Sequence, residues 1–313
     1  MPAHPISFCV PESLLITDVD TVLQDKKNIE ACYKPGEPYA FSEPEAYYQM
    51  YKDAYFGHTK KKGGWDCFRH LEILASGCLP VYEKLEDIPS SIMVFYPKDI
   101  MVQANQLYNK YQQTHQWTSE DKDIYSFLVK ISINHVKRHL TTLAMAKYVL
   151  RTVLGNKLFE NISVLFLSTS SRVDFQRCLL LHGLKMLCKE KCIDVARIPH
   201  LYTSYPTETL HKAGAGFGFA GTIPESYDIL CNRENIRERI AAKEFDVVIY
   251  GSIHRGMPYL DEVLHAYPSD RIVYIDGEDC TPLFTGKDHD SSCPLTDFCK
   301  KGHLFIREFS GAT

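Results

Sequence analysis

A pair of glycines followed by a helical pattern carries the residues whose types and spacing best suit binding chemistry. The run Lys62-Gly63-Gly64-Trp65-Asp66 leads into a helix predicted over about residues 65–76. Glycines let a backbone approach a ligand closely, and a helix start presents free amide groups and a positive dipole end to an anion. Arg69 and Glu72 are three residues apart and share one helix face. Such a helix can give a cation to a diphosphate and, one turn on, a carboxylate to ribose hydroxyls. Trp65 suits two roles equally: packing in the core, or providing a flat ring on which a ligand stacks.

Polar and charged side chains follow three predicted strands in the second half of the chain. Transfer of a group to a hydroxyl needs a base, and a carboxylate or histidine at the carboxyl end of a strand can supply it. We take Asp279, Glu278 and His254 as the catalytic candidates; the alternative for each is a polar loop residue or a helix cap. The full set is Asp276, Glu278 and Asp279 after one strand, His254 and Arg255 after another, and Arg172 and Asp174 after a third.

The elements that must position these residues alternate between short apolar runs and helical patterns. This alternation predicts an α/β fold with mostly parallel sheets, arranged as two Rossmann-like lobes. The predicted strands are 54–56, 79–82, 92–95, 162–167, 193–198, 245–250 and 271–275, and the predicted helices are 65–76, 101–111, 175–189 and 259–266.

A helical stretch separates the two predicted lobes. It begins at a capping-box-like run, Thr118-Ser119-Glu120-Asp121, and ends at Gly155. The sequence therefore predicts a nucleotide-binding donor lobe over residues 1–117, a helical connector over 118–155 and an acceptor lobe over 156–313.

Composition excludes several classes of protein. The 313 residues carry a net charge of -4, from 35 basic and 39 acidic residues, which argues against a protein that binds nucleic acid by neutralising many phosphates. No apolar stretch approaches the roughly 20 residues of a membrane span, and the N-terminus lacks the pattern of a signal peptide. The 11 cysteines are an odd number spread through predicted strands and helices. We therefore expect no disulfide framework, no membrane span and a cytoplasmic location.

One motif resembles a known family. The run Arg69-x-x-Glu72-x-x-x-x-Gly77-Cys78-x-Pro80-Val81 is similar to the donor-site motif of exostosin-type glycosyltransferases, which have two Rossmann-like lobes in the GT-B architecture. The run from Lys62 to Asp66 is similar to a form found in uncharacterised glycosyltransferases of large viruses, algae and bacteria. The resemblance implies that Arg69 faces the diphosphate and Glu72 the ribose of a UDP- or GDP-sugar.

The resemblance extends to the second half of the chain and implies an activity. Residues 246–255 and 274–279 resemble the acceptor lobe of the same group. In that group the acceptor lobe usually comes before the donor lobe in the sequence, so the reverse order here suggests circular permutation. The implied reaction transfers a sugar from the nucleotide sugar to a carbohydrate hydroxyl of an oligosaccharide or glycan, with inversion and without an essential metal or cofactor.

Asp18 and Asp20 support a different interpretation. Apolar residues followed by Asp-x-Asp resemble the opening motif of haloacid-dehalogenase-like phosphatases, in which the first Asp is the nucleophile and the second the acid/base beside Mg²⁺. The same pair resembles the metal motif of single-lobe, manganese-dependent glycosyltransferases, although only 17 residues precede it. A binding protein of the glycosyltransferase fold without turnover is a third alternative.

A cysteine- and histidine-containing segment near the C-terminus offers zinc ligands. Its spacing matches no tight zinc knuckle, so we expect a loop with free thiols and no metal site. The residues are Cys280, His289, Cys293, Cys299 and His303.

Overall fold

Two parallel β-sheets organise the chain. The computed structural model describes residues 3–36, 41–155, 159–169, 173–206, 218–279 and 301–309. Within these ranges the strands are β1 Ala3–Pro5, β2 Asn28–Glu30, β3 Ala54–Thr59, β4 Leu79–Tyr82, β5 Val164–Leu167, β6 Cys192–Val195, β7 Val247–Tyr250, β8 Ile272–Asp276 and β9 His303–Ile306. The larger sheet has the order β1-β9-β8-β7-β5-β6 and the smaller sheet the order β2-β3-β4. Every pairing is parallel, which confirms the predicted α/β class.

Helices connect these strands and cover the sheets. Parallel neighbours need a long crossover, which is why helices alternate with strands along the chain. The α-helices of the described ranges are α1 Val19–Gln24, α2 Pro44–Asp53, α3 Phe68–Ala75, α4 Lys98–Thr114, α5 Ser119–His139, α6 Thr142–Leu154, α7 Phe175–Cys188, α8 Ser226–Ile229, α9 Ile236–Ala241 and α10 Leu260–Ala266. None of them is both long enough and apolar enough to cross a membrane.

The larger sheet has a point at which the strand order reverses. β5 lies between β6 and β7, so the chain moves from β5 to one side and then crosses to the other. In open parallel sheets, ligands bind outside the carboxyl ends of the strands near such a point. Central strands β5, β7 and β8 are fully buried, which explains their continuous apolar sequences.

The predicted connector consists of two helices that pack against different partners. The capping box at Thr118 is present, with Asp121 bonded reciprocally, and Gly155 ends α6 with a positive φ of 69°. α5 packs on α3 and α4, whereas α6 packs on α7. A Cβ on Gly183 of α7 would lie 2.0 Å from the carbonyl oxygen of Thr142, so glycine is what allows α6 and α7 to approach so closely.

The N-terminal strand belongs to the larger sheet. Ala3, His4 and Pro5 pair with Leu304, Phe305 and Ile306 of β9. The chain thus begins in the larger sheet, passes through the smaller one and returns, although residues 1–117 were predicted to form one lobe.

The predicted strand at 92–95 is wrong. Met93 has a left-handed φ of 52°, and the Ile92 and Tyr96 amides donate to Pro89 and Met93 in successive turns. Ile92 and Met93 are apolar because they are buried in the core, not because they pair with another strand.

Candidate functional site

A histidine–carboxylate pair lies at the carboxyl edge of the larger sheet. His254 follows β7, Asp276 ends β8, and Nε2 of His254 lies 2.9 Å from Oδ1 of Asp276. Because a carboxylate can only accept here, Nε2 carries the proton and Nδ1 remains the nitrogen able to receive another. Burial by itself lowers the pKa of His254, but the hydrogen bond and charge of Asp276, with Glu278 and Asp174, raise the pKa above its usual value. This is the arrangement of a base held and oriented by a buried carboxylate.

Two buried groups beside this pair have unpaired polar atoms. Asp276 is 1% exposed; its Oδ1 also accepts from the Glu278 amide, whereas its Oδ2 has no hydrogen-bond partner among the described residues. Gln176 in the first turn of α7 is equally buried, and neither atom of its amide is paired within the described part of the chain. A Cβ on Gly277 would lie 2.6 Å from Cβ of Gln176, which places Gln176 directly beside the strand end that carries Asp276.

Arg307 joins this edge to the predicted donor motif. Its side chain is 1% exposed, and its guanidinium donates to the Gly277 carbonyl at 3.0 Å and to the Asp66 carbonyl at 2.6 Å. It also forms ion pairs with Asp279 and Glu308. The structure therefore brings together Asp66 of the motif and Asp279, which the sequence placed in separate lobes.

The glycine turn packs against the carboxylates of the larger sheet. A Cβ on Gly63 would lie 1.8 Å from Oδ2 of Asp279, and one on Gly64 would lie 2.3 Å from Oε1 of Glu308. The Asp66 amide donates to Glu308 at 2.9 Å, so an acidic side chain of the protein lies at amides predicted to face a diphosphate. Burial raises the pKa of Glu308.

The remaining motif residues lie around this turn. Asp66 accepts from the Phe8 amide at 2.8 Å, and burial raises its pKa to about 6 against the opposing charge of Arg307. Lys61 stacks over Trp65 with its Nζ 4.6 Å from the ring centre, and the Lys62 amide closes the turn on the Gly64 carbonyl. The Tyr82 hydroxyl, at the end of β4, donates to the Trp65 carbonyl at 3.0 Å, so the turn contacts both sheets.

Arg69 and Glu72 both contact tyrosines. Nη2 of Arg69 lies 3.2 Å from the Tyr33 hydroxyl, and its guanidinium stacks over the same ring. Glu72 is 7% exposed and accepts from the hydroxyls of Tyr47 and Tyr48 at 3.0 and 2.9 Å. Burial raises its pKa. Their diphosphate and ribose roles stay predictions, and a ribose would have to reach Glu72 past two tyrosines.

A cavity of about 520 Å³ opens at the carboxyl end of the smaller sheet. Lys34 follows β2, Lys60 follows β3 and Lys84 follows β4, and all three line it. Glu83 and Glu86 line the same cavity, so it offers cations for phosphates and carboxylates for hydroxyls. The volume lies within the usual range for small-molecule sites. Lys34 and Lys84 were not predicted from the sequence, where their only signal is that each follows a strand.

The phosphatase motif has a different local structure from the one its chemistry needs. Asp18 caps α1: it accepts from the Thr21 amide at 3.0 Å, and this hydrogen bond lowers its pKa. The preceding residues form a 3₁₀ turn, Glu12–Leu14, and not a strand that would present Asp18 at its carboxyl end. Asp20 is exposed and pairs with Lys130 at 2.7 Å.

The other sequence-derived candidates are distributed as follows. Asp174 caps α7 and lies 3.4 Å from Arg255. His303 stacks on His4 across the β1–β9 pair. Arg172, Cys280, His289, Cys293 and Cys299 lie outside the described residues.

Comparison with known proteins gives no relative. No family model matches the chain, and no curated protein or solved structure matches it significantly.

Proposed function

We propose that this protein is a glycosyltransferase that moves a sugar from a nucleoside diphosphate sugar to a carbohydrate hydroxyl, with its two sheets forming the two lobes of a GT-B architecture. One observation carries the proposal: the carboxyl edges of the two sheets meet at the glycine turn, where Gly63 and Gly64 contact Asp279 and Glu308. Lys60, which lines the cavity of the smaller sheet, is three residues before Gly63 in the chain, and Asp276 of the histidine–carboxylate pair is three residues before Asp279.

The cavity of the smaller sheet suits the donor. Lys34, Lys60 and Lys84 can neutralise the diphosphate, and charge that builds up on the leaving group is stabilised most by cations fixed in advance. Glu83 and Glu86 can accept from sugar or ribose hydroxyls. In this proposal the diphosphate binds the lysines and not the turn, because Glu308 already accepts from the Asp66 amide.

The larger sheet suits the acceptor. His254, when Nδ1 is unprotonated, can take the proton of the attacking hydroxyl while Asp276 stabilises the imidazolium that results. Direct attack by that hydroxyl on the sugar carbon inverts its configuration, as the exostosin resemblance implies. Glu278 and Asp279 are the alternative bases, but Asp279 is paired with Arg307.

Titration calorimetry tests the donor half of this proposal. The purified chain is titrated with UDP, GDP and their sugars, with and without Mg²⁺. We expect one nucleotide to bind without Mg²⁺ and its affinity to fall about tenfold or more in Lys60→Ala and in Lys84→Ala. Lys122→Ala is the matched control, because Lys122 is an exposed lysine on α5 outside this cavity.

Other outcomes would redirect the interpretation. Nucleotide binding without transfer to any carbohydrate would favour a binding protein of the same fold. Failure to bind any nucleotide, together with Mg²⁺-dependent phosphate ester hydrolysis lost in Asp18→Asn, would favour the phosphatase.

A further inference from the structure

A buried lysine and a partly exposed cysteine, neither of them part of the proposed active site, are in direct contact. Nζ of Lys185, on α7, lies 3.0 Å from Sγ of Cys231, which follows α8. The Lys185 side chain is fully buried, and its Nζ also lies 3.0 Å from Oδ1 of Asp194 on β6. The lysine nitrogen and the cysteine sulfur are therefore held in direct contact beside a carboxylate.

The surroundings fix both partners in place. Sγ of Cys231 lies within 3.1–3.6 Å of the carbonyl oxygens of Tyr227, Glu190 and Cys192. The Lys185 ammonium also lies 5.7 Å from the ring centre of Tyr202. Neither atom can move far without breaking several of these contacts.

The same cluster is a poor metal site. Asp194, Asp228 and Cys231 bring three possible ligand atoms within 4.8 Å of one another. Two basic side chains already contact these ligand atoms, however. Lys185 contacts Asp194 and Cys231, and Arg233 contacts both aspartates. A metal ion would have to displace a buried ammonium and a guanidinium.

We propose that Lys185 and Cys231 are a covalent modification site, at which dioxygen or a peroxide converts the contact into a nitrogen–oxygen–sulfur bridge. Cys231 is partly exposed, so an oxidant can reach this side of the pair. A bridge of one oxygen atom suits two atoms that are already in contact but not bonded. Cysteine sulfur readily reaches the sulfenate level of oxidation that such a bridge requires.

The reaction with dioxygen balances. The S–H bond and two N–H bonds break, and S–O and O–N bonds form. Sulfur and nitrogen each lose two electrons, and one dioxygen accepts all four as its O–O bond breaks. One oxygen atom becomes the bridge and the other leaves as water with the thiol hydrogen and one amine hydrogen. The remaining ammonium proton passes to Asp194, which already lies at Nζ. Hydrogen peroxide accepts only two electrons, so two peroxide molecules react in place of one dioxygen and three waters leave.

The bridge would tie α7 to the segment that follows α8. Arg233 of that segment already pairs with Asp194 of β6 and Asp228 of α8, and Arg197 after β6 also pairs with Asp228. Closing a chain loop covalently restricts the unfolded chain, so the oxidised protein should resist unfolding better than the reduced one.

Peptide mass spectrometry tests this proposal without any assumption about activity. The full-length chain is incubated in air-equilibrated buffer or with hydrogen peroxide, then digested with trypsin without reductant. We expect the peptides containing Lys185 and Cys231 to be joined, with a mass about 14 Da above their sum, from one added oxygen and two lost hydrogens. Cleavage after Lys185 should be lost, and dithiothreitol should restore both peptides.

Two variants make the result specific. Cys231→Ser should abolish the joined peptides, whereas Cys32→Ser, which removes an exposed cysteine, should leave them unchanged. The proposal is overturned if Cys231 instead gains sulfinic or sulfonic oxygens, or stays a thiol, while trypsin still cuts after Lys185.

Discussion

Nε2 of His254 donates to Oδ1 of Asp276 across 2.9 Å, joining the loop after β7 to the end of β8. This contact and the neighbouring carboxylates outweigh burial and raise the pKa of His254. A raised pKa means that the folded state binds the proton more tightly than the unfolded state does. The pair therefore stabilises the fold below the unfolded pKa of the histidine, and this contribution is lost as pH rises through the folded pKa.

The first prediction concerns this pair. In Asp276→Asn the pKa of His254 should fall, because a neutral amide replaces the carboxylate, and NMR titration of the imidazole measures the shift. If His254 is the base, transfer should increase with pH through its pKa, and His254→Ala should lose about 10²-fold or more in rate. An unchanged pKa in Asp276→Asn would show that Asp276 does not control the histidine.

The second prediction compares the two glycines of the turn. Alanine at position 64 would meet the buried Glu308 and Arg307, whereas alanine at position 63 would meet Asp279, whose side chain is 61% exposed and able to rotate away. We expect Gly64→Ala to lower the free energy of unfolding by about 1–3 kcal/mol and Gly63→Ala to lower it less. Urea denaturation measures both; equal losses would contradict the observed packing.

The third prediction separates the two roles open to Glu72. Glu72→Ala removes the carboxylate that accepts from the hydroxyls of Tyr47 and Tyr48, which should cost about 1–3 kcal/mol of stability. Glu72→Gln keeps one oxygen acceptor and fills the same volume, so it should lose less stability than Glu72→Ala. Calorimetry on a folded Glu72→Gln variant then tests the ribose role, which unchanged nucleotide affinity would rule out.

The fourth prediction uses Asp66. Burial raises its pKa from 3.8 to about 6, so the folded state binds the proton more tightly and stability falls as pH rises from about 4 through 6. Asp66→Asn should remove this contribution to the pH dependence of stability, which is about 3 kcal/mol at most. Urea unfolding at pH 4 and at pH 7 measures the free energy of unfolding at each pH, and its change from pH 4 to pH 7 should be more positive in the variant than in the wild type.

Sequence patterns specified the elements whose causes are local. The capping box at Thr118 and the glycine that ends α6 depend on neighbouring residues, and both were predictable. The apolar runs of β5, β7 and β8 likewise indicated buried parallel strands. A buried turn and a buried strand can have the same apolar sequence. Ile92 and Met93 lie in such a turn, so the strand predicted there from their apolar side chains was wrong.

Part of the candidate site was predictable from the sequence. Sequence reasoning identified His254 and Asp279 because each follows a strand, and it identified the glycine turn from its composition. It assigned no role to Arg307, which joins the turn to Asp279, because an arginine after a strand carries no signal until its partners are known. It also missed Lys34 and Lys84, which line one cavity only because β2 and β4 flank β3.

By itself, then, the sequence determined the α/β class, most helices and strands and the edges at which reactive residues lie. These follow from hydrophobic period, caps and turns, which act over a few residues. The tertiary structure decided that β1 pairs with β9, that Glu72 lies among tyrosines and that Gly63 meets Asp279. Such contacts join residues far apart in the chain, and they form only because burying apolar surface brings whole elements together.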